Sequence, residues 1–277
     1  MADLLCEACG YVLNGLPDDG RCPECGKPIA ESLGRQRVGP AWDAATSAAT
    51  TAISTAASTP NTGASPAAAT AAALTAVPTS AAAGITAGFL RTTAAVLFHP
   101  TKFYRTLNVR GSLESARQFA RVHWWLAAAL LGITVVTHAA WFFRQFVTSA
   151  PTVSHAAANF IAAAAMVVAT VLIYFGLDFT TRLAARLTTI EATYRGLRLP
   201  YHVVLRGLYF HAAHYLPVAT AAATIVVGYQ VLLAGKMVNF NSWNAYLYTL
   251  CGLVIVAAGY LFNTYWIGMR NMMYANR

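Results

Sequence analysis

Five cysteines occur in the 277 residues, and four of them fall into two pairs of one pattern, Cys6-Glu-Ala-Cys9 and Cys22-Pro-Glu-Cys25. Two intervening residues let both sulfurs of a pair turn toward one ion. The chain between the pairs is long enough to fold back and bring all four thiolates together. Four thiolates with no open position are the donor set of a structural, tetrahedral zinc ion. Gly10 and Gly26 directly follow the second cysteine of each pair, where a left-handed turn would close the loop without a Cβ clash. Two other chemistries use the same residues. Disulfides need an oxidising compartment, and a redox dithiol normally opens a helix inside a βαβ unit, which nothing nearby resembles. The expectation is therefore Zn2+ held by Cys6, Cys9, Cys22 and Cys25. So little apolar material surrounds them that the metal must supply much of the local folding free energy.

The remaining candidates are weaker. Cys251 sits in an apolar run (LYTLCGLVIV) with no base beside it, so it reads as a small buried hydrophobe. His211 and His214 share a helical face, with His202 and Asp178 nearby in the pattern. Together they could build a second metal or proton-relay site, since ionisable residues within a membrane domain point to function by default. Their position at expected span ends favours side chains that reach water instead. His138 is expected inside the membrane in a hydrogen-bonded packing role. Only Asp178 and Glu191 remain as acids after residue 120, which leaves little for general acid–base catalysis. No phosphate-binding glycine loop, HExxH or GxSxG occurs. We expect no enzyme: no catalytic residue and no cofactor-binding motif.

As a whole, the pattern CxxCGYxLxGLPxxGxCPxCG over residues 4–29 resembles the zinc ribbons at the N-termini of bacterial membrane proteins. The resemblance implies a closed, non-catalytic metal site and an interaction module. Around the knuckles, Arg21 and Lys27 are outnumbered by Asp3, Glu7, Asp18, Asp19, Glu24 and Glu31, so phosphate binding is disfavoured and no nucleic-acid partner is expected.

The composition says where such a module would sit. Hydrophobic residues make up 57% of the chain and charged ones 10%, far from the roughly 25% charged of soluble domains. The net charge of +9 arises from few acids rather than many bases. Residues 36–88 are rich in Ala, Thr, Ser and Pro and almost free of bulky apolar side chains, which reads as a flexible linker. Beyond them, uncharged runs at about 124–143, 156–177, 216–234 and 250–267 match the roughly 17–25 residues of a membrane-crossing helix. Trp124, Trp125, Trp141 and Trp266 fall at the ends of these spans and Trp243 in the loop before the last, as an interfacial belt requires. Gly84–Phe98 carries Arg91 at its centre and suits a helix lying on the membrane. Phe179–His214, with Arg182, Arg186, Arg195, Arg198 and Arg206, suits another on an anionic leaflet. The opening MADLLCEACG lacks the basic and apolar regions of a secretory signal, so the spans themselves are expected to direct insertion.

The membrane half carries a second resemblance. Phe98-His-Pro100-Thr-Lys-Phe103-Tyr-Arg-Thr-Leu107 leads into the first span, and YFHAAHYLP, Tyr209–Pro217, leads into the third. Both are similar to the bacterial branch of the Yip1-type membrane domains, which implies a trafficking or membrane-organising role. Such domains usually have five spans, and four are defensible here.

The expected architecture is an all-α polytopic membrane protein of about four transmembrane helices plus interfacial amphipathic helices. A zinc ribbon at 1–35, the linker at 36–88 and a helical membrane domain at 89–277 follow one another. Its expected partners are the lipid bilayer and a cytoplasmic protein bound through the ribbon, with homo-oligomerisation left open. The alternative is a transporter or channel component regulated by the ribbon, which broken helices or polar groups at mid-span would favour. Ten of the 19 bases precede the first span, Arg144 alone marks the first loop, and five arginines fill the second. Lys236 alone marks the third, and Arg270 and Arg277 the tail. Basic loops stay inside, so both termini should face the cytoplasm of a bacterial inner membrane. After serine replaces the native cysteines, Asn241→Cys should react with an impermeant thiol reagent in intact cells and Thr193→Cys should not. The reverse pattern would invert the topology.

Overall fold

A computed structural model of the chain describes residues 4–7, 9–32, 37, 39–58, 79–108, 111–146, 155–195, 199–238 and 243–273. Among these there is no β-strand, only two isolated antiparallel bridges, Leu5 with Val12 and Arg21 with Pro28. The helices are α1 (Ala41–Ser58), α2 (Thr79–Phe98), α3 (Pro100–Thr106), α4 (Leu113–Phe146), α5 (His155–Tyr194), α6 (Tyr201–His211), α7 (Tyr215–Ala234) and α8 (Trp243–Met272). Four stretches are long and apolar enough to cross a membrane: Leu113–Ala140, Phe160–Tyr194, Tyr201–Ala234 and Asn244–Met272. The number of spans agrees with the sequence reading, but each helix overruns the uncharged run that announced it.

The chain divides into two compact units. The first comprises Met1–Phe119, Ala192–Phe210 and Ile267–Arg277, and the second Ala120–Glu191 and His211–Trp266.

In the first unit, α1 occupies ground that composition assigned to a flexible linker. Alanine has the best helix propensity, and the hydroxyls of Thr46, Thr50 and Thr51 bond back to the carbonyls of Trp42, Thr46 and Ser47, so they do not compete with the helix. One residue docks it. Trp42 is buried, packs against Phe89 and Phe119 at 5.8 and 6.0 Å between ring centroids, and donates its Nε1–H to the Ser115 carbonyl at 2.7 Å. Where α1 meets α2, a Cβ on Gly88 would stand 2.8 Å from the Ala45 Cβ, so the close crossing requires glycine. The middle of the expected linker, 59–78, lies outside the described residues.

The aromatic cluster continues through Phe103, Phe119 and Phe210, with centroids 5.2–5.3 Å apart. At its edge lies Arg206, only 2% exposed. Its guanidinium pairs with Asp43, donates to the carbonyls of Asn108 and Ser112, and lies 5.4 Å from the Phe210 ring centre. Asp43 is held in turn by the Ser115 hydroxyl at 2.7 Å. Arg206 is thus no leaflet-facing base, as the sequence suggested, because its counter-charge comes from α1. Gly111 admits it: a Cβ there would lie 2.2 Å from Nη2.

The second unit carries its apolar side chains outward. Phe160, Val254, Ile255 and Phe262 are all more than half exposed, which suits lipid contact. Polar groups pair inside it: His138 Nδ1 with Tyr246 Oη at 2.8 Å, and the hydroxyls of Thr188 and Tyr265 at 2.6 Å. His138 therefore has the packing role expected of it. Three sequence readings are corrected. Trp124 is buried, edge-on to Tyr174 at 6.1 Å, not in an interfacial belt. Trp243 opens α8 rather than standing in a loop. The stretch from Phe179 is not a separate surface helix, because α5 runs unbroken to Tyr194. Its Leu183, Leu187 and Ile190 are nevertheless exposed, as an apolar face would be.

Asp43→Asn should strand the buried guanidinium of Arg206 and cost about 3–5 kcal/mol, read as a lowered midpoint of thermal unfolding in detergent. Arg186→Gln, at an exposed position, should leave the midpoint unchanged.

Candidate metal centre

Each CxxC pair folds into a tight knuckle. In the first, the Gly10 N–H donates to the Cys6 carbonyl at 2.8 Å and the Cys6 N–H to the Tyr11 carbonyl at 2.8 Å. In the second, Gly26 and Cys22 make the matching bonds, to Cys22 and Lys27, at 2.9 and 2.7 Å. Gly10 and Gly26 have φ of 80° and 71°, the left-handed turn that glycine permits without strain. An antiparallel bridge closes each knuckle, Leu5 with Val12 and Arg21 with Pro28, and the two share one small core in which Leu13 and Ile29 pack with Cys6 and Cys22. The Arg21 guanidinium also donates to the Gly26 carbonyl at 3.1 Å.

The four sulfurs all lie within 4.8 Å of one another. Across the knuckles, Cys6 stands 3.6 Å from Cys25, and Cys9 3.6 Å from Cys22. All four cysteines are free, and these separations are far beyond a disulfide bond of about 2.05 Å. They fit a metal instead. A tetrahedron with metal–sulfur bonds of roughly 2.3 Å has edges of about 3.8 Å. A bound cation would supply charge neutralisation and a fixed cross-link, and the four protein ligands would leave it no open position. Without a cation, burial, aided by hydrogen bonds among the neighbouring thiols, pushes the Cys9 thiol up to about 12. It is therefore protonated at neutral pH, and metal uptake must displace protons.

Sequence reasoning missed the residues that hold the ribbon in place. The Ser32 hydroxyl accepts the Glu7 N–H at 3.1 Å. Arg37 pairs with the Glu7 carboxylate at 3.1 Å and donates to the Tyr104 carbonyl at 3.3 Å. The ribbon is thereby tied to α3 within the first unit rather than swinging on a long tether. In the sequence Glu7 is one of six acids around the knuckles and a spacer between two cysteines, and no pattern marks Arg37.

The other candidates fall elsewhere. Cys251 is exposed on α8 rather than buried. His211 and His214 do not reach water: they are 5% and 0% exposed. His211 Nε2 meets the Thr264 hydroxyl at 3.0 Å, and His214 Nδ1 meets Tyr260 Oη at 2.7 Å. Between α6 and α7, Ala212–His214 tightens into a 3₁₀ turn, because Pro217 offers no N–H to the Ala213 carbonyl. His202 is exposed and Asp178 pairs with Arg182 at 2.9 Å, so neither forms a cluster with the histidine pair. Among the described residues, the only group of three or more potential ligands within reach of one ion is the cysteine cluster.

The chain matches no family model, no curated protein and no solved structure. The similarity to Yip1-type domains therefore stands on its own motif positions alone. What the fold and the cluster define is a helical protein with four membrane-length apolar stretches and four N-terminal cysteines placed to hold a metal ion.

Cobalt loaded into the full chain should give the absorption of tetrahedral thiolate coordination. Cys9→Ser or Cys22→Ser should abolish it and Cys251→Ser preserve it. Because bound cysteines must be deprotonated, apparent affinity should fall as the pH is lowered, with protons released on loading in weakly buffered solution.

Proposed function

We propose that the protein is a non-enzymatic, multi-pass protein of the bacterial inner membrane, in which a cytoplasmic zinc ribbon presents a binding surface for a protein partner. The observation that carries this reading is the closed donor set. Four cysteine ligands hold a metal and leave it nothing to catalyse with, so the metal's use is to fix a surface. Arg37 presents that surface in one orientation relative to α3. Zinc is the natural occupant of a four-thiolate site in a reducing compartment. The distribution of charge supports a cytoplasmic ribbon. All of the 19 bases except Arg121, Arg144, Arg182, Arg186 and Lys236 belong to the first unit, and bases mark the inner side. The membrane half would anchor the ribbon or organise the bilayer, as its Yip1-like motifs imply.

One observation favours transport instead. The third candidate span is interrupted by the 3₁₀ turn at Ala212–His214, with two buried histidines beside it. Interrupted helices with polar groups are where transporters bind their solutes.

The purified protein should contain one zinc per chain. In cells, cross-linking from full-length protein should trap a defined cytoplasmic partner. Cys9→Ser/Cys22→Ser should lose that partner while still inserting in the membrane. Partner capture indifferent to these substitutions would refute the interaction role. Proton or cation flux in proteoliposomes that disappears in His214→Ala would establish the transport reading.

A further inference from the structure

A cavity of about 380 Å³ opens in the first unit between the start of α1, one face of α2, and α3. This size falls within the range of small-ligand sites. Its rim carries Arg91, His99 and Lys102, and its floor includes Pro40, Ala95 and Phe103. The three rim residues are exposed, and none makes an ion pair among the described residues. No acid lines the cavity. The nearby Asp43 is already engaged by Arg206 and Ser115.

A second feature runs beside it. Along α2, Ala87, Leu90, Ala94 and Phe98 recur at helical spacing and are all exposed, Leu90 by 60% and Phe98 by 74%. Arg91, Ala95 and His99 form the adjacent row, one residue on. An apolar stripe flanked by cations is the pattern of a helix lying in the membrane interface. A small soluble anion would answer the cations and leave the stripe wet. An amphiphile answers both.

We propose that this cavity is a binding site for an anionic phospholipid, its phosphate held by Arg91, Lys102 and His99 and its acyl chains lying along Leu90 and Phe98. The leaflet on the basic side of a membrane protein is the anionic one, so charge and apolar surface select the same ligand. The site depends on bilayer contact and is independent of what the ribbon binds, so either can fail alone.

The test uses the full chain, purified in neutral detergent and stripped of lipid, then titrated with phosphatidylglycerol or with phosphatidylcholine of the same acyl chains. Binding is read by native mass spectrometry. One phosphatidylglycerol should bind about tenfold or more in preference to phosphatidylcholine. Arg91→Gln/Lys102→Gln should weaken its binding by about thirtyfold, taking each surface base at the strength usual for anionic lipid. Ala95→Trp, which fills the cavity without altering charge, should remove the preference too. Lys236→Gln/Arg270→Gln deletes the same charge at exposed positions outside the cavity and should retain it. Circular dichroism checks that each variant is folded, and the exposed Gln pair keeps the test alive if the Trp variant is not. Equal binding of the two lipids, or a preference that survives in the Gln pair, would overturn the site. Displacement by inorganic phosphate, or by polyglutamate, at the potency of phosphatidylglycerol would reassign it to a free anion or an acidic protein. A dimer lost only in the cavity variants would reassign it to a second copy of the chain.

Discussion

A guanidinium stripped of water is tolerable only with a counter-charge and a full set of acceptors, and in this protein Arg206 receives both. Asp43 supplies the charge, Asn108 and Ser112 supply carbonyls, and the Phe210 ring lies within reach of the cation. Three separate stretches of chain meet at this one side chain: the start of α1, the turn ahead of α4, and α6. Because breaking such a pair costs more than the pair itself contributes, its value lies in excluding other arrangements. A different register of α1 would leave a buried charge alone. Trp42, one residue before Asp43, converts that specificity into packing by filling the aromatic cluster with Phe89 and Phe119.

The second unit is organised by the opposite constraint. Its outer surface is apolar, so the hydrophobic effect offers its helices little reason to prefer one another over lipid. Polar pairs between side chains provide the discrimination instead: His138 with Tyr246, His211 with Thr264, His214 with Tyr260 and Thr188 with Tyr265. Each joins residues far apart in the chain. The ion-paired interior of one unit and the hydrogen-bonded interior of the other are two answers to the same cost of burying polar atoms.

The parts of this protein that were legible in its sequence are those written in short or strongly biased patterns. Two CxxC pairs with trailing glycines specify a knuckle wherever they fall, and a long uncharged run has few alternatives to a membrane-length helix. The illegible parts depend on single residues acting at long range. Alanine and threonine in residues 41–58 give the same composition whether the segment is free or docked. The difference is Trp42 and Asp43, and their partners lie in other segments. Arg206 looked like one of five loop arginines because nothing local distinguishes a buried base from a solvated one. The buried histidines were placed at water for a related reason. A span judged only by its uncharged run was cut at residue 216, so the helix that precedes it, and the turn between them, were read as a connecting segment.

The distance along the chain between Asp43 and Arg206 has a consequence for how the protein is made. The two residues are 163 positions apart, and ribosomes add about 5–20 residues per second. Asp43 thus exists for roughly ten to thirty seconds before its partner is synthesised. During that interval the ribbon can close on its metal, since all its ligands lie in the first 25 residues. The helix that follows has no counter-ion with which to bury its carboxylate. Completion of the first unit is therefore post-insertional. It waits for the two earlier spans to be synthesised and for α6 to emerge, so a chain stalled before that point carries a finished metal site on an unfinished body. Such a nascent chain has Phe103 and Phe119 but not the Phe210 ring that packs between them, a form that cellular quality control can tell apart from the mature protein.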